Sequence, residues 1–399
     1  MQQRHFDVAI LGGGASGCAA ALTLLQKGVQ RVAIVEKSDF TEPRIGETIP
    51  PDANLLLAEL GVTEPFRAQG HLPCYGSNSL WGSAQLGHND FVVNVHGHGW
   101  HLNRARFDAM LLDQAKAAGA KVFHGDCRAV DADHDRIKSI KVGTDQITAG
   151  HFIDATGRNA ILARALRIDK EYDDRQAVVW ARFRLGDTSG FGHSTWLESA
   201  PYGWWYGARL PGDEAIVALG SDPLVAKSMG VYALKSWLFH LTGTQLMAPR
   251  LARAQLIPDS FRITASHSYC SRRVTGTNWF AVGDAASAFD PLSSAGIYKA
   301  LITGQRAARA ITGDDPAQQQ HAYQTRIQAE YHTYLDVRAE LYEAEQRWAT
   351  HPFWQARQKS HAPAQCRSGP AVLSNCRFER RACLSVETKN KNTGLGTKI

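Results

Sequence analysis

FDVAILGGGASGCAAALTLLQKGVQRVAIVEKS, residues 6–38, changes its period twice. Phe6–Leu11 is an apolar run too short for a helix, and it stops at glycines, which is the pattern of a buried parallel strand. Small residues at helical spacing follow from Ala15 to about Lys27, and Arg31–Glu36 reads as a second buried strand. The stretch is one βαβ unit. Gly12, Gly14 and Gly17 place G-x-G-x-x-G in its first turn. The first glycine permits a tight turn, the second lets backbone approach a pyrophosphate, and the third lets helix and strand pack closely. Ala15 and Ser16 open the helix, whose unpaired N–H groups and positive dipole end suit phosphate. Glu36 ends the second strand 19 residues beyond Gly17, where its carboxylate can accept a ribose diol and disfavours a 2′-phosphate. Lys37 adjoins it and is assigned to the same site. Glycine patterns alone are weak signals, but both strands, the helix and the acid at this spacing specify a dinucleotide site.

Three later segments favour FAD over NAD. In VGDAASAFDPLSSAGIYKAL, residues 282–301, an apolar strand runs through a loop into a helix. Asp284, next to Gly283, suits the hydroxyls of a ribityl chain, which NAD lacks. A helix starting near Gly296 and Ile297, after Pro291 and Ser294, would aim its N-terminus at the flavin pyrimidine edge and favour the negative charge of reduced flavin. Arg104 in R-x-x-F-D-x-x-L and Asp154–Gly157 complete the set.

Residues 177–186, 194–207 and 214–220 alternate β-branched and aromatic residues with polar ones and predict an antiparallel sheet inserted as a second domain. Residues 316–350 carry apolar positions at helical spacing and predict one or two amphipathic helices. The expected architecture is α/β: a discontinuous Rossmann-type FAD-binding domain (1–75, 99–165, 275–315), a mainly antiparallel-β substrate domain (76–98, 166–274) and C-terminal helices (316–359). A basic tail, 360–399, lacks core-forming periodicity and is expected to be poorly ordered.

Composition excludes other classes. At 399 residues and 44% hydrophobic, the chain can bury a full core. The net charge of +6 would suggest a polyanion partner, but nine Lys/Arg against two Glu lie from Arg357 onward, so the body is close to neutral and nucleic acid is not expected. The seven cysteines form no CxxC pair, which supports neither zinc nor a disulfide framework nor a disulfide reductase. No apolar run matches a membrane helix or signal peptide, so the protein is expected in the cytoplasm. His96, His98 and His101 recur without a carboxylate or cysteine at ligand spacing, and no metal is expected.

GGGASG (12–17), PRIGET (43–48), SLWGS (79–83), GWHLNRARFDAML (99–111), DATGR (154–158), GWWYGARLP (203–211), WFAVGDAASAFDPLSSAGI (279–297) and EQRWATHPFWQAR (345–357) carry a resemblance to a known family. The sequence resembles flavoprotein monooxygenases of the p-hydroxybenzoate hydroxylase fold, in the branch containing tryptophan halogenases. Within it the chain is most similar to flavoproteins that oxidise peptidyl tryptophan during quinone-cofactor maturation. The halogenase pattern is incomplete. Where those enzymes carry D-P-L-E-S, this chain has Asp290-Pro291-Leu292-Ser293-Ser294, and Cys74–Gly82 holds no lysine. The resemblance therefore implies oxygen insertion into an aromatic ring, most naturally a tryptophan in a partner protein subunit. It also implies molecular oxygen as co-substrate, with NAD(P)H or a separate flavin reductase supplying electrons. The alternatives are a small-molecule aromatic hydroxylase or epoxidase, a halogenase, and an FAD oxidase or reductase without oxygen insertion.

Within PRIGET, the resemblance puts Arg44 near phosphate or ring and Glu47 near the substrate. Equally, Glu47 reads as a carboxylate before a helix N-terminus. Trp204, Trp205 and Tyr206 are candidates to wall the aromatic pocket, with at least one of them expected in the inserted domain's core. His101 is a candidate base, or a hydrogen-bonded histidine.

Overall fold

The C-terminal ends of five parallel strands lie side by side. The computed structural model describes residues 2–186 and 190–358. Gln2–Leu11 pairs in parallel with Val32–Glu36 on one side and Asp145–Asp154 on the other, and Trp279–Ala281 joins beyond, with Leu11 level with Asp154 and Asp154 level with Ala281. Lys121–His124 closes the far edge, and the antiparallel pair Cys127–Asp133 and Arg136–Val142 flanks Asp145–Asp154. In such open sheets ligands bind beyond the carboxyl ends of the strands.

The helix Ala15–Gln26 is sandwiched between this sheet and the helix Gly296–Ile311, which explains its run of small residues. A Cβ on Gly304 would lie 2.2 Å from Ser16 O, so only glycine admits that crossing.

The second sheet runs Gln255–Leu256, Ala177–Arg184, Glu214–Ser221, Gly203–Leu210, Ser194–Ala200, Gly76–Leu80 and Gly87–Asp90. All its pairings are antiparallel except that between Ser194–Ala200 and Gly76–Leu80. One face buries Val179, Phe183, Trp205 and Leu219 with Trp237 in a separate core. The fold is thus α/β, with a mainly antiparallel second sheet built from the residues between the parallel strands.

A long helix, Pro316–Glu343, then crosses the first domain. Asp315 caps it by accepting the Gln318 N–H at 3.0 Å, with proline at the first helical position. Tyr323, Ile327, Tyr331 and Tyr334 bury into the first core, while Tyr342 joins Trp81, Trp204, Phe353 and Trp354 in a cluster that includes the final helix Pro352–Gln358. The expected tail, 360–399, lies outside the described residues. Among the described residues no helix is long and apolar enough to cross a membrane.

Candidate active site

A cavity of about 510 Å3 opens where the parallel strands end and the second sheet begins. Its lining gathers Gly12, Gly14, Ala15, Ser16, Glu36, Lys37, Arg44, Glu47, Arg104, Gly157, Asp284, Pro291, Ser294, Gly296 and Ile297 from six separate segments, and adds Trp204 from the second sheet. Gly17 and Gly283 stand behind it. A Cβ on Gly17 would meet Gly12 O at 1.9 Å, and one on Gly283 would meet Ser16 Oγ at 3.0 Å, so both mark close packing.

The helices Ala15–Gln26 and Gly296–Ile311 both point N-termini at this cavity, and neither has a side-chain cap. Uncapped first-turn N–H groups are orphan donors that an anion satisfies. The cradle is open at the backbone: a Cβ on Gly14, Gly157 or Gly296 would find no atom within 4 Å. The turn before the first helix is tight, with Gly12 at φ +104° under the Ala155 carbonyl. Glu36 accepts the Gly13 N–H at 2.6 Å and the Ser38 N–H at 2.7 Å, tying the strand end to the glycine turn. These features fit FAD: uncapped helix ends for phosphate and pyrimidine edge, an acid at the strand end, and Asp284 on the adjoining loop.

Asp284 keeps its charge through its neighbours. Burial acts to raise its pKa, but the ammonium of Lys299 at 2.9 Å and the guanidinium of Arg158 hold the carboxyl below the usual range. Lys299 is buried behind the lining, 4.4 Å from the Phe289 ring centroid, and burial lowers its own pKa. Loop 290–294 is held in a tight turn: Asp290 Oδ1 accepts the Leu292 N–H at 3.0 Å, and Ser294 takes a left-handed φ of 49°. A non-glycine residue there costs about 1–3 kcal/mol, which the surroundings must offset. Ser293 donates its hydroxyl to Asp290 O at 2.8 Å.

Asp108, fully buried, organises the opposite rim. Its carboxylate accepts Arg104 at 3.0 Å and Arg44 at 3.1 Å, and Arg104 also donates to Gly46 O at 2.7 Å. The arginines and residues 44–47 are therefore fixed by the protein itself. Asp108→Ala would strand two partly buried guanidinium groups and is expected to lower stability by about 3 kcal/mol, read by denaturant unfolding.

Glu47 is only 2% exposed and lines the cavity, and its Oε2 has no hydrogen-bond partner. Burial raises its pKa, although the Tyr206 hydroxyl and the Arg104 guanidinium act the other way. Tyr206 also lines the cavity, with its hydroxyl 2.7 Å from Thr48 Oγ1. Val178, Ala218, Trp204 and Phe289 supply apolar surface to the same cavity.

Two candidates are not brought to the cavity. Trp205 turns to the other face of its strand and packs against Trp237, ring centroids 5.3 Å apart, in the second core. His101 is fully buried in a small sheet beside Thr48–Ile49, and burial pushes its pKa down to about 3, so it stays neutral and sealed from the cavity. Sequence reasoning passed over Asp108 and Lys299, while Tyr206, a candidate beside Trp204, does line the cavity. Asp108 carried a signal, four residues after Arg104 on a helix; Lys299 carried none that stood out from its neighbours.

The FAD binding domain model matches residues 5–189, and the tryptophan halogenase model matches residues 242–381. A protein named as an FAD-dependent oxidoreductase, LodB of Marinomonas mediterranea, is 31% identical over 363 residues, covering 88% of this chain and 96% of that one. The chain belongs to that family of FAD-dependent oxidoreductases, within the wider group of flavin monooxygenases and halogenases. Tryptophan 2-halogenase of Chondromyces crocatus is 27% identical over 375 residues, covering 89% of this chain and 71% of its own. In fold the chain is similar to the peptidyl tryptophan dihydroxylase QhpG, essential for tryptophylquinone cofactor biogenesis, with TM-score 0.74 and 23% identity over 90% of this chain and 80% of that one.

Proposed function

We propose that this protein is an FAD-dependent monooxygenase that hydroxylates an aromatic ring, with a tryptophan side chain of a partner protein as substrate. The observation that carries the reading is Glu47: a buried carboxylate with an unpartnered oxygen, lining the same cavity as the residues that would hold FAD. An unpartnered buried oxygen calls for a donor on the ligand, and an indole N–H is such a donor.

Gly14 and the N-termini of the two helices would hold the phosphates and the pyrimidine edge, with Glu36 at the ribose and Asp284 at the ribityl hydroxyls. When bound and reduced by NAD(P)H or a separate reductase, FAD would supply the two electrons that oxygen insertion requires, one oxygen atom going to the ring and the other to water. The chain's own residues do the rest. Trp204, Val178, Ala218 and Phe289 orient the ring and exclude water. Glu47 Oε2 accepts the proton of the substrate N–H as electron density is drawn from the ring. Arg104 holds Glu47 in place through the carbonyls of Ile45 and Gly46.

Halogenation is the second reading, because relatives carry that name. Against it stand Ser293, turned back onto its own loop, and a cavity whose described lining holds one lysine, Lys37, beside Glu36. Reduced enzyme, oxygen, bromide and a tryptophan-bearing peptide separate the two. The peptide is expected to gain one or two oxygen atoms labelled from molecular oxygen, and a brominated peptide would reverse the assignment.

A further inference from the structure

Tyr342 fastens together two walls of the cavity without lining it. It sits near the end of Pro316–Glu343, packed in a ring cluster with centroids 5.7 Å from Trp354 and 6.0 Å from both Trp81 and Phe353. Its hydroxyl bonds in opposite senses at once, with Gln176 Oε1 a longer third partner at 3.5 Å. It accepts the indole N–H of Trp204 at 3.1 Å and donates to Asp290 Oδ2 at 2.7 Å. An indole can only donate and a carboxylate can only accept, so a hydroxyl is the group that joins them. Trp204 is the aromatic wall on the second sheet, while Asp290 anchors the loop that brings Pro291, Ser293 and Ser294 to the cavity.

The same helix reaches that loop a second time. The Asp290 N–H is donated to the Tyr334 hydroxyl at 2.7 Å, and Gln176 Nε2 donates to Asp290 Oδ1 at 3.2 Å. Asp290 is thus a fully engaged buried carboxylate at the head of a turn whose fourth following residue is held left-handed. Such a turn keeps its shape only while its surroundings hold it.

We propose that Tyr342 is a positioning residue: by bonding Trp204 and Asp290 at once, it sets the spacing between the aromatic wall and the loop that receives FAD. The proposal rests on the reading of loop 290–294 as part of the FAD site. The helix Pro316–Glu343 then determines the width of a cavity that Tyr342 does not enter.

Tyr342→Phe removes one oxygen and keeps the ring. FAD titration of the apoprotein, followed by flavin fluorescence and visible absorption, is expected to show the Kd raised about three- to tenfold, as for loss of one hydrogen bond, with an altered band shape. Calorimetric titration of the FAD-loaded protein with indole should weaken by a similar factor. Trp204→Phe removes the donor without touching the helix and should give the same losses, and the double variant should fall no further. Trp354→Phe is the structural control. It breaks an indole bond to Ala200 O at 2.9 Å in the same cluster, and it should lower the melting temperature while leaving FAD affinity unchanged. Additive losses in the double variant, or a Tyr342→Phe protein that behaves like Trp354→Phe, would overturn the proposal. If Tyr342→Phe does not fold, unchanged FAD and indole binding in Trp204→Phe overturns it alone. These readouts are binding constants, so the absence of any oxygenated product would sink the monooxygenase reading and leave this one standing.

Discussion

Gly14→Val is expected to fold normally and to lose FAD during purification. Gly14 has φ −75° and ψ −172°, an extended conformation open to any residue, and a Cβ there meets nothing within 4 Å. The protein alone therefore accommodates valine with an unchanged melting temperature. That open space is the cavity itself, beside the uncapped start of Ala15–Gln26. A side chain placed there takes the room of the pyrophosphate and blocks the N–H groups behind it. A steric cost of about 3 kcal/mol raises the Kd for FAD about a hundredfold, enough to strip flavin absorbance during purification. Gly17→Ala shows the contrast. Its Cβ would lie 1.9 Å from Gly12 O, so melting temperature falls first and flavin is lost as a consequence. A Gly14→Val protein with a normal flavin spectrum would place the cofactor elsewhere.

Glu47→Gln is expected to lower aromatic hydroxylation by about 10²–10⁴-fold, the usual contribution of a positioned base, while making the protein more stable at neutral pH. Both effects come from burial. Taking the carboxyl from water raises its pKa in the folded state, so folding favours the protonated form. The sign follows by linkage: this stabilisation is complete below the unfolded-state pKa, and it is lost as pH rises through the folded value. At neutral pH the ionised group opposes folding, and glutamine, isosteric and uncharged, does not. Unfolding curves of the two proteins should converge below the ordinary carboxylate range and separate above it. Turnover of the unaltered enzyme should rise with pH over the same interval, and the residual turnover of the variant should not. Hydroxylation within a few-fold of the unaltered enzyme would exclude Glu47 as the proton acceptor.

How much could be read beforehand depended on the range of the interaction. The βαβ unit was legible because its signals are local: an apolar run, spaced glycines, small residues at helical spacing and an acid at the strand end. The second sheet was legible as alternation. Its one parallel pairing was not, because Gly76–Leu80 and Ser194–Ala200 are far apart in sequence. Trp204 and Trp205 show the same limit at one position. Neighbours on a strand face opposite sides, so one had to meet the core, but which one depends on the sheet's placement against the first domain. His101 was legible as a histidine at a strand end, while the Thr48–Ile49 strand that covers it came from a segment read as a loop. Tyr206, Asp290 and Tyr342 matter through partners 44 to 158 residues away, and no local pattern announces such distances.

Glu36 holds the N–H groups of Gly13 and Ser38 whether or not a nucleotide is near. Each carboxylate oxygen keeps a second lone pair, so bracing the glycine turn does not use up its capacity to receive a ribose hydroxyl. The turn is therefore ordered when the chain folds, and the entropy of fixing it is lost at that stage. FAD then meets a mould already cast, and little of its binding energy is diverted into shaping the backbone around it. One acid residue thus separates the making of the berth from its filling, so the apoprotein can wait in a loadable form.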